Sequence, residues 1–453
     1  MATAPLLLAL TCAVGFSCTH AKIGYFWHIT DFHYDPLYSS TGDTRRQCRR
    51  ADERGSSGHH RALGRYGDYA CHSSHALVES AARHMRARHA ENVEFVLWTG
   101  DIIAARYGDA RARFSAVRNM TDLLGRTFSS HFVFPVLGHL DPPPSDNLTA
   151  LWGHWLPLEA LDTFKTGGYY TIEQSHSKLR IVALNTNLFG GARDAAARAQ
   201  WAWLDAVLDK AADNSEMVYI VGHALPGADA RAHDASAAAA NAQYLRTVRK
   251  HARCIAGQFF GHLHADTFRV IYDNDRAVSW ALLAPSVSPH RDPGGSSNPG
   301  LRLYKFDTNS GKVLDYTQYY LDLAAANRLG AAEWTPEYNL TQHYALPDVS
   351  AAALHALADR LRIGTPQETA TFNKYVRAYS VRHSEAECDG ACAHQHYCAV
   401  TCVEPAAYRQ CVEAAASALA AAGRAARAHL VFAAPMVLLS MLLLTLFDLP
   451  QTV

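Results

Sequence analysis

The chain has 453 residues, of which 49% are hydrophobic, with 42 basic and 42 acidic side chains. This composition is typical of globular proteins and allows one large domain or two to three ordinary ones. Zero net charge argues against a nucleic-acid-binding protein, which usually shows a basic excess. The 25 histidines are consistent with metal binding, because histidine is the commonest metal ligand.

Residues 1–21 have the pattern of a secretory signal peptide. An apolar run from Ala4 to Phe16 is followed by the small residues Thr19 and Ala21, one residue apart. This spacing predicts cleavage near Ala21 and entry into the secretory pathway.

Residues 413–453 resemble a signal for attachment of a GPI anchor, and we expect them to be removed. Small residues from Ala414 to Gly423 precede a polar spacer with Arg424 and Arg427, and Leu430 to Phe447 is apolar. This order favours a GPI-anchored protein on the extracellular face of the plasma membrane, or a secreted one. The alternative is a single transmembrane helix, for which the apolar run is barely long enough.

Between these ends, apolar runs rich in β-branched and aromatic residues alternate with helical stretches. The runs predict strands over 23–30, 93–99, 132–137, 180–184, 217–221, 254–260, 268–272, 277–283 and 301–306. Helices are predicted over 75–89, 111–124, 200–210 and 235–251. The alternation indicates an α/β layered sheet. Segment 39–71 is polar, glycine-rich and arginine-rich and predicts a loop, whereas 326–412 predicts a small helical region.

Polar residues follow the carboxyl ends of five predicted strands. Open α/β sheets place their ligands at such ends. Carboxylate and imidazole groups are ligands for divalent metals, and seven of them fit two ions that share a bridging carboxylate. They could instead be ordinary turn residues, but five such ends in order are improbable by chance. The seven residues are Asp31, His33, Asp101, His139, His223, His262 and His264.

Eight cysteines remain beyond the signal peptide, and five of them lie between Cys388 and Cys411. In a secreted protein this clustering indicates disulfide bonds. A zinc site is the weaker alternative, because thiolates oxidise outside the cell. Three sequons predict glycosylation, at Asn119, Asn147 and Asn339.

The order of these motifs resembles that of the calcineurin-like metallophosphoesterases and, more closely, the acid sphingomyelinase-like phosphodiesterases. The resemblance implies a metallophosphoesterase-like β-sandwich core over 22–325, in which helices flank layered mixed β-sheets, followed by the helical, disulfide-bonded region 326–412. It also implies two zinc ions, a phosphodiester substrate or lipid head group, and a monomer. It depends on segments 26–36, 67–71, 97–101, 181–188, 217–223 and 257–262.

By motif, the family implies a first zinc ion held by Asp31, His33 and His264. The second would be held by His223, His262 and the residue at the asparagine position of Gly-Asn-His-Asp, with Asp101 as the bridge. The family's cysteine pairing implies Cys48–Cys71, Cys388–Cys392 and Cys398–Cys411, and leaves Cys254 and Cys402 unassigned.

This sequence departs from the family at Gly138-His139-Leu140-Asp141. His139 replaces the asparagine ligand, and Leu140 replaces the histidine expected to act as general acid. A slipped register would make His139 the acid, but a metal ligand would then be missing. Loss of a general acid typically removes roughly 10²–10⁴ in rate. The polar run that follows Gly-Asp in the family is apolar here, over 102–105.

Two functions follow from these observations. The leading one is a zinc phosphodiesterase at the outer cell surface, acting on phosphocholine lipids such as sphingomyelin or on nucleotide-type diesters. The alternative is a catalytically impaired zinc-binding protein that binds a lipid head group or a partner, which Leu140 favours. A phosphomonoesterase is a third hypothesis.

Overall fold

The computed structural model describes residues 22–50, 62–88, 92–173, 178–190, 195–227, 235–291, 295–383 and 388–414. The expected signal peptide and nearly all of the expected GPI signal lie outside these ranges. Within them, no helix combines the length and apolar character needed to cross a membrane.

Two six-stranded mixed sheets form the centre of the fold. The first has the strand order β15-β14-β13-β1-β3-β4. Strands β1, β3 and β4 are parallel to one another, whereas β13 to β15 are antiparallel additions at the β1 edge. Its strands are β1 (Ile23–Ile29), β3 (Val93–Trp98), β4 (Phe132–Pro135), β13 (Gly300–Asp307), β14 (Val313–Leu321) and β15 (Trp334–Asn339).

The second sheet has the order β5-β6-β7-β8-β10-β9 and is parallel from β6 through β10, with an antiparallel strand at each edge. Its strands are β5 (Tyr170–Glu173), β6 (Leu179–Ala183), β7 (Met217–Val221), β8 (Ile255–Phe260), β9 (Thr267–Asp273) and β10 (Arg276–Leu283). Outside both sheets lie β2 (Tyr38–Asp43) and the short ribbon of β11 (His290–Arg291) and β12 (Gly295–Ser296).

The helices cover the sheets and form most of the C-terminal region. They are α1 (His75–Ala87), α2 (Ala110–Thr127), α3 (Asp146–Trp152), α4 (Leu158–Gly167), α5 (Ala195–Asp213), α6 (Ala235–Lys250), α7 (Leu323–Leu329), α8 (Leu340–Tyr344), α9 (Ala351–Asp359), α10 (Pro366–Tyr379) and α11 (Gly390–Thr401).

Aromatic side chains fill the space between the two sheets. Phe26 of β1 stacks on Tyr304 of β13, with ring centroids 4.7 Å apart. It also meets Tyr219 of β7 and Phe259 of β8, at 5.6 and 5.4 Å, across the sandwich. Because both sheets contribute to one core, their strand ends are held in a fixed relative position.

The predicted α/β architecture is confirmed, and all nine predicted strands and four predicted helices are present within a few residues. The predicted loop 39–71 also contains most of β2, whose residues are mainly polar and give no apolar run. The predicted helical region 326–412 contains β15, which pairs with β14. The segment Trp334–Asn339 within this region is an edge strand of the first sheet, in which Trp334 and Tyr338 are buried. The boundary between the two predicted domains stays a prediction.

Three disulfide bonds join the cysteine pairs that the family resemblance implied: Cys48–Cys71, Cys388–Cys392 and Cys398–Cys411. The last two close short loops around α11, so these four cysteines of the C-terminal region do not offer thiolates for a zinc site. Cys254 is buried and Cys402 half-buried, and neither forms a disulfide.

Candidate metal centre

Five parallel strand ends from the two sheets meet at one edge of the sandwich. Strands β1, β3 and β4 arrive from the first sheet, and β7 and β8 from the second. The turns after them bring all seven predicted residues together in two adjacent groups. The first group is Asp31, His33 and His264, and the second is Asp101, His139, His223 and His262.

In the first group the donor atoms lie within 4.8 Å of one another and are buried. The Nε2 atoms of His33 and His264 are 2.9 Å apart. Asp31 Oδ1 lies 3.2 Å from His264 Nε2 and 3.6 Å from His33 Nε2. One carboxylate oxygen and two imidazole nitrogens therefore face a common point.

In the second group Asp101 Oδ2 is the shared atom. It lies 3.0 Å from His139 Nδ1 and 3.4 Å from His223 Nε2. It also lies 3.6 Å from His33 Nε2 in the first group. Its position between the two groups is the one a bridging carboxylate requires.

The residues present fit two divalent ions. Asp31 Oδ1 and Asp101 Oδ2 are buried oxygens without a hydrogen-bond partner among the described residues, and a buried anionic oxygen is costly unless it is paired or bound to a metal. The remaining donors are imidazole nitrogens, which together with carboxylate form the usual ligand set of zinc.

The other atoms of these ligands are already engaged. His223 Nδ1 donates to the carbonyl of Thr99 at 2.7 Å, and His264 Nδ1 donates to the carbonyl of His290 at 2.8 Å. Each contact fixes the tautomer that leaves Nε2 free for a metal. Asp31 Oδ2 accepts hydrogen bonds from Thr30 Oγ1 and from the backbone N–H of His262, so that Oδ1 alone faces the centre.

Five ligands have a left-handed backbone, which is uncommon for residues other than glycine. Such strain costs about 1–3 kcal/mol per residue and persists where the surroundings determine the conformation. The tight turns place each side chain directly over the strand end. The φ angles are 52° at Asp31, 41° at His33, 50° at Asp101, 69° at His262 and 51° at His264.

Two glycines in the motifs are required by close approach. A Cβ atom at Gly138 would lie 2.2 Å from Asp101 Oδ1, and one at Gly261 would lie 2.6 Å from Asp31 Oδ2. Any side chain at either position would displace a carboxylate of the centre. The glycine before the histidine in each motif is therefore required by packing, independently of any role in catalysis.

The pKa values of three ligands in the second group are shifted in different directions by burial and by their neighbours. Burial opposes the charge on Asp101, but the positive field of His223 outweighs it and holds the pKa of that carboxyl well below its usual range. Burial likewise opposes a charged His223, yet Asp101 raises its pKa to about 10. Burial and the charge of His223 lower the pKa of His262 to about 4. Metal binding at this site therefore requires His223 to release a proton.

The two departures from the family pattern have different surroundings. His139 is exposed, and its Nδ1 lies 3.3 Å from His223 Nε2, so it belongs to the ligand group. Leu140 is half-buried and lines the cavity above the metals, while its backbone N–H donates to Asp101 Oδ1 at 2.9 Å. The apolar run 102–105 alters the rim less than expected, because Ile102, Ile103 and Ala104 are buried and only Ala105 reaches the cavity.

The centre opens into a cavity of about 730 Å³, which is in the range of small-molecule sites. His72 is a wall residue that the motifs did not identify. Its ring stacks on His33 with centroids 5.2 Å apart, and burial with the charge of His33 lowers its pKa to about 2, so it packs as a neutral ring. Sequence analysis also missed the arginines of this wall, although segment 39–71 was visibly arginine-rich.

A buried ion pair between Asp266 and Arg302 holds the turn that carries His264 in position. Asp266, two residues further on, accepts a hydrogen bond from Arg302 of β13 at 2.5 Å and another from Tyr338 of β15. The turn of one sheet is thereby tied to two strands of the other. The sequence around Asp266 gives no signal for this role.

The three sequon asparagines lie away from the ligands. Asn119 and Asn147 are exposed on α2 and α3. Asn339 is half-buried at the end of β15, where its side-chain amide donates to Thr317. Glycosylation at these positions stays a prediction.

A two-layered sheet sandwich with seven such donors at one edge defines a metal-dependent phosphoesterase. A family model of the acid sphingomyelin phosphodiesterase C-terminal region matches residues 276–418. Among solved structures, a dimetal phosphatase from Danio rerio covers 65% of this chain and 95% of its own, with 16% identity and a TM-score of 0.41.

Two curated relatives resemble the chain over nearly its whole length. Acid sphingomyelinase-like phosphodiesterase 3b of Homo sapiens is 35% identical over 90% of this chain and 94% of its own. Cyclic GMP-AMP phosphodiesterase SMPDL3A of Bos taurus is 34% identical over 87% of this chain and 91% of its own. The chain therefore belongs to the acid sphingomyelinase-like phosphodiesterase family, a class of metal-dependent phosphodiesterases.

Proposed function

We propose that the protein is a zinc-dependent phosphodiesterase of the outer cell surface. It hydrolyses phosphodiesters, either phosphocholine lipids such as sphingomyelin or nucleotide-type diesters. The single observation that supports this most strongly is the position of Asp101 Oδ2 between two groups of imidazole nitrogens. Relatives named as sphingomyelinase-like and cyclic GMP-AMP phosphodiesterases support the same reaction class.

The first zinc ion is assigned to Asp31, His33 and His264, and the second to His139, His223 and His262, with Asp101 between them. Two bound ions would polarise a phosphate and lower the pKa of a water molecule that attacks it.

The protein's own groups hold this arrangement in place. The Thr99 and His290 carbonyls orient the rings of His223 and His264, and the buried position of both carboxylates excludes water from their inner oxygens. Leu140 occupies the position of the leaving-group acid, so the leaving oxygen receives no proton from that side chain. The proposal therefore includes a preference for leaving groups that are stable as anions.

The location is proposed from the two ends of the chain. A signal peptide cleaved near Ala21 and a GPI signal over 413–453 would place the protein on the extracellular face of the plasma membrane. The disulfides of the described residues accord with an oxidising compartment.

Metal analysis of the purified secreted protein, combined with turnover of bis-p-nitrophenyl phosphate, tests the proposal. We expect two zinc ions per chain and a hydrolysis rate that a chelator abolishes and added zinc restores. The variant Asp101→Asn keeps the size of the side chain but weakens the bridge, so we expect it to lose both metal and activity. Fewer than two ions per chain, or hydrolysis that persists in the chelator, would contradict the proposal.

The second candidate function is a zinc-binding regulator that binds a lipid head group or a partner without turnover. The observation that favours it is Leu140, an apolar side chain on the cavity wall where the family has a histidine. Full zinc occupancy with no measurable hydrolysis of any diester, including those with good leaving groups, would establish this function instead.

A further inference from the structure

The cavity above the metal centre has an arginine-rich wall that the metal motifs do not explain. Its arginines come from two separate segments, one after β2 and one after β3. The wall consists of Arg45, Arg46, Arg49, Arg50 and Arg106.

Arg49 fastens the two segments to each other. Its Nε donates to Asp35 Oδ2 at 2.7 Å, and Asp35 is buried. Its Nη1 donates to the carbonyl of Arg106 at 3.1 Å, and its Nη2 donates to the carbonyl of Ala105 at 3.4 Å. The neighbouring disulfide of Cys48 adds a covalent link to the segment that carries His72. Arg49 therefore holds the two arginine-bearing segments against each other, and the other four arginines of the wall lie on these segments.

The other arginines present charge to the cavity from exposed positions. Arg45 is paired with Asp43, and Arg50 donates to the hydroxyl of Ser39 at 3.2 Å. Among the described residues that line the cavity there is no aspartate, glutamate, phenylalanine, tyrosine or tryptophan. A choline ammonium group is usually held by aromatic faces or carboxylates, whereas guanidinium groups bind phosphate. The wall suits an anion and disfavours phosphocholine.

We infer that the arginine wall is a subsite for a second phosphate, so that the substrates are phosphodiesters that carry a further phosphate group beside the scissile one. This inference rests on the proposed function, because the metals are assigned to the first phosphate. The cavity volume of about 730 Å³ accommodates a ligand of nucleotide size. A soluble bisphosphorylated nucleotide and a polyphosphorylated lipid head group share this chemistry.

Calorimetric titration of the zinc-loaded full chain tests the subsite independently of turnover. The probes are adenosine 3′,5′-bisphosphate and adenosine 5′-monophosphate, which differ by one phosphate. The variant is R46Q/R50Q/R106Q, and the control R126Q/R328Q removes two exposed arginines from α2 and α7. All five positions are exposed, and melting curves confirm that both variants fold.

We expect the wild type and the control to bind the bisphosphate about tenfold more tightly than the monophosphate. Exposed ion pairs are individually weak, and three of them together account for a difference in affinity of this order. The triple variant should lose this preference while its affinity for the monophosphate changes by less than about twofold. Flotation with phosphatidylcholine vesicles that contain phosphatidylinositol 4,5-bisphosphate, or phosphatidylserine at equal charge, distinguishes the lipid source from the soluble one.

Equal binding of the two nucleotides by the wild type would overturn the subsite. So would an equal loss for both in the triple variant, which is what general charge attraction predicts. A protein that binds neither zinc nor the monophosphate would instead contradict the proposed function. The two failures are therefore distinguishable.

Discussion

At the scale of single residues, the site depends on which atom of each side chain is already occupied. Asp31 and Asp101 each use one oxygen to accept hydrogen bonds and leave the other buried, facing the imidazole nitrogens of the ligand groups. His223 and His264 each donate a hydrogen bond through Nδ1 to a backbone carbonyl and leave Nε2 for a ligand. These contacts hold the free donor atoms in position before any ligand arrives, which lowers the cost of binding one.

Leu140 lies where the family resemblance implies a histidine that acts as general acid. The substitution Leu140→His would place an imidazole on the cavity wall, where it could donate a proton to a poor leaving group. We expect the rate with an alkyl leaving group to rise at least about tenfold, which is less than the roughly 10²–10⁴ that an optimally placed general acid contributes. Hydrolysis of matched diesters with p-nitrophenol and alkyl leaving groups measures the effect.

Leu140→Gln is the matched control, because glutamine is polar but does not exchange a proton near neutral pH. A similar gain in both variants would mean that polarity, not proton donation, limits the rate. No gain in the histidine variant would show that the departure at this position is not limiting, and the binding function would then be favoured.

At the scale of elements, strand β15 is coupled to the turn after β8 through one buried network. Arg302 of β13 and Tyr338 of β15 both donate to Asp266, just beyond His264. Glu337 precedes Tyr338 in β15 and lies within the electrostatic influence of Asp266. Its Oε2 is buried without a hydrogen-bond partner among the described residues. Burial and the nearby charge of Asp266 raise the pKa of Glu337 to about 9.

The substitution Glu337→Gln should therefore stabilise the fold in a pH-dependent manner. The folded state binds the proton of Glu337 more tightly than the unfolded state, whose pKa is near 4.5. Stability contributed by this group is complete below that value and is lost as the pH rises toward 9. We expect the variant to gain roughly 2–4 kcal/mol in free energy of unfolding at about pH 8 and nothing at about pH 4.

Denaturant unfolding at the two pH values measures this difference. Glu333→Gln, an exposed glutamate just before β15, serves as the control and should change stability at neither pH. A gain of equal size at both pH values would mean that the amide improves packing and that ionisation of Glu337 is not involved.

At the scale of the whole molecule, the ligands and most strands could be predicted from sequence because each follows a buried apolar run. Gly261 and His262, for example, come directly after β8. Strand β15 could not, because its residues Thr335 to Glu337 include a proline and charged or polar side chains typical of an edge. The arginine wall and the Asp266 network join segments more than thirty residues apart, and only the folded chain shows such contacts.

The metal centre also links the two sheets, since its ligands come from β1, β3 and β4 on one side and β7 and β8 on the other. Under the proposed zinc assignment, bound zinc should therefore stabilise the whole fold. Free zinc at about 100 times its dissociation constant contributes roughly 2.7 kcal/mol. For a protein of this size we expect removal of zinc to lower Tm by about 3 °C. Scanning calorimetry with and without a chelator measures the shift.

The same experiment at lower pH tests whether zinc binding is coupled to the release of a proton. Because His223 must lose a proton to bind zinc, and its pKa is raised to about 10, zinc affinity should fall steadily as the pH is lowered. The stabilisation by a fixed zinc concentration should therefore shrink toward acid pH. The double variant Asp31→Asn/Asp101→Asn is the control and should show no response to zinc or chelator. A chelator effect that is equal in this variant and in the wild type would place the stabilising ion elsewhere in the molecule.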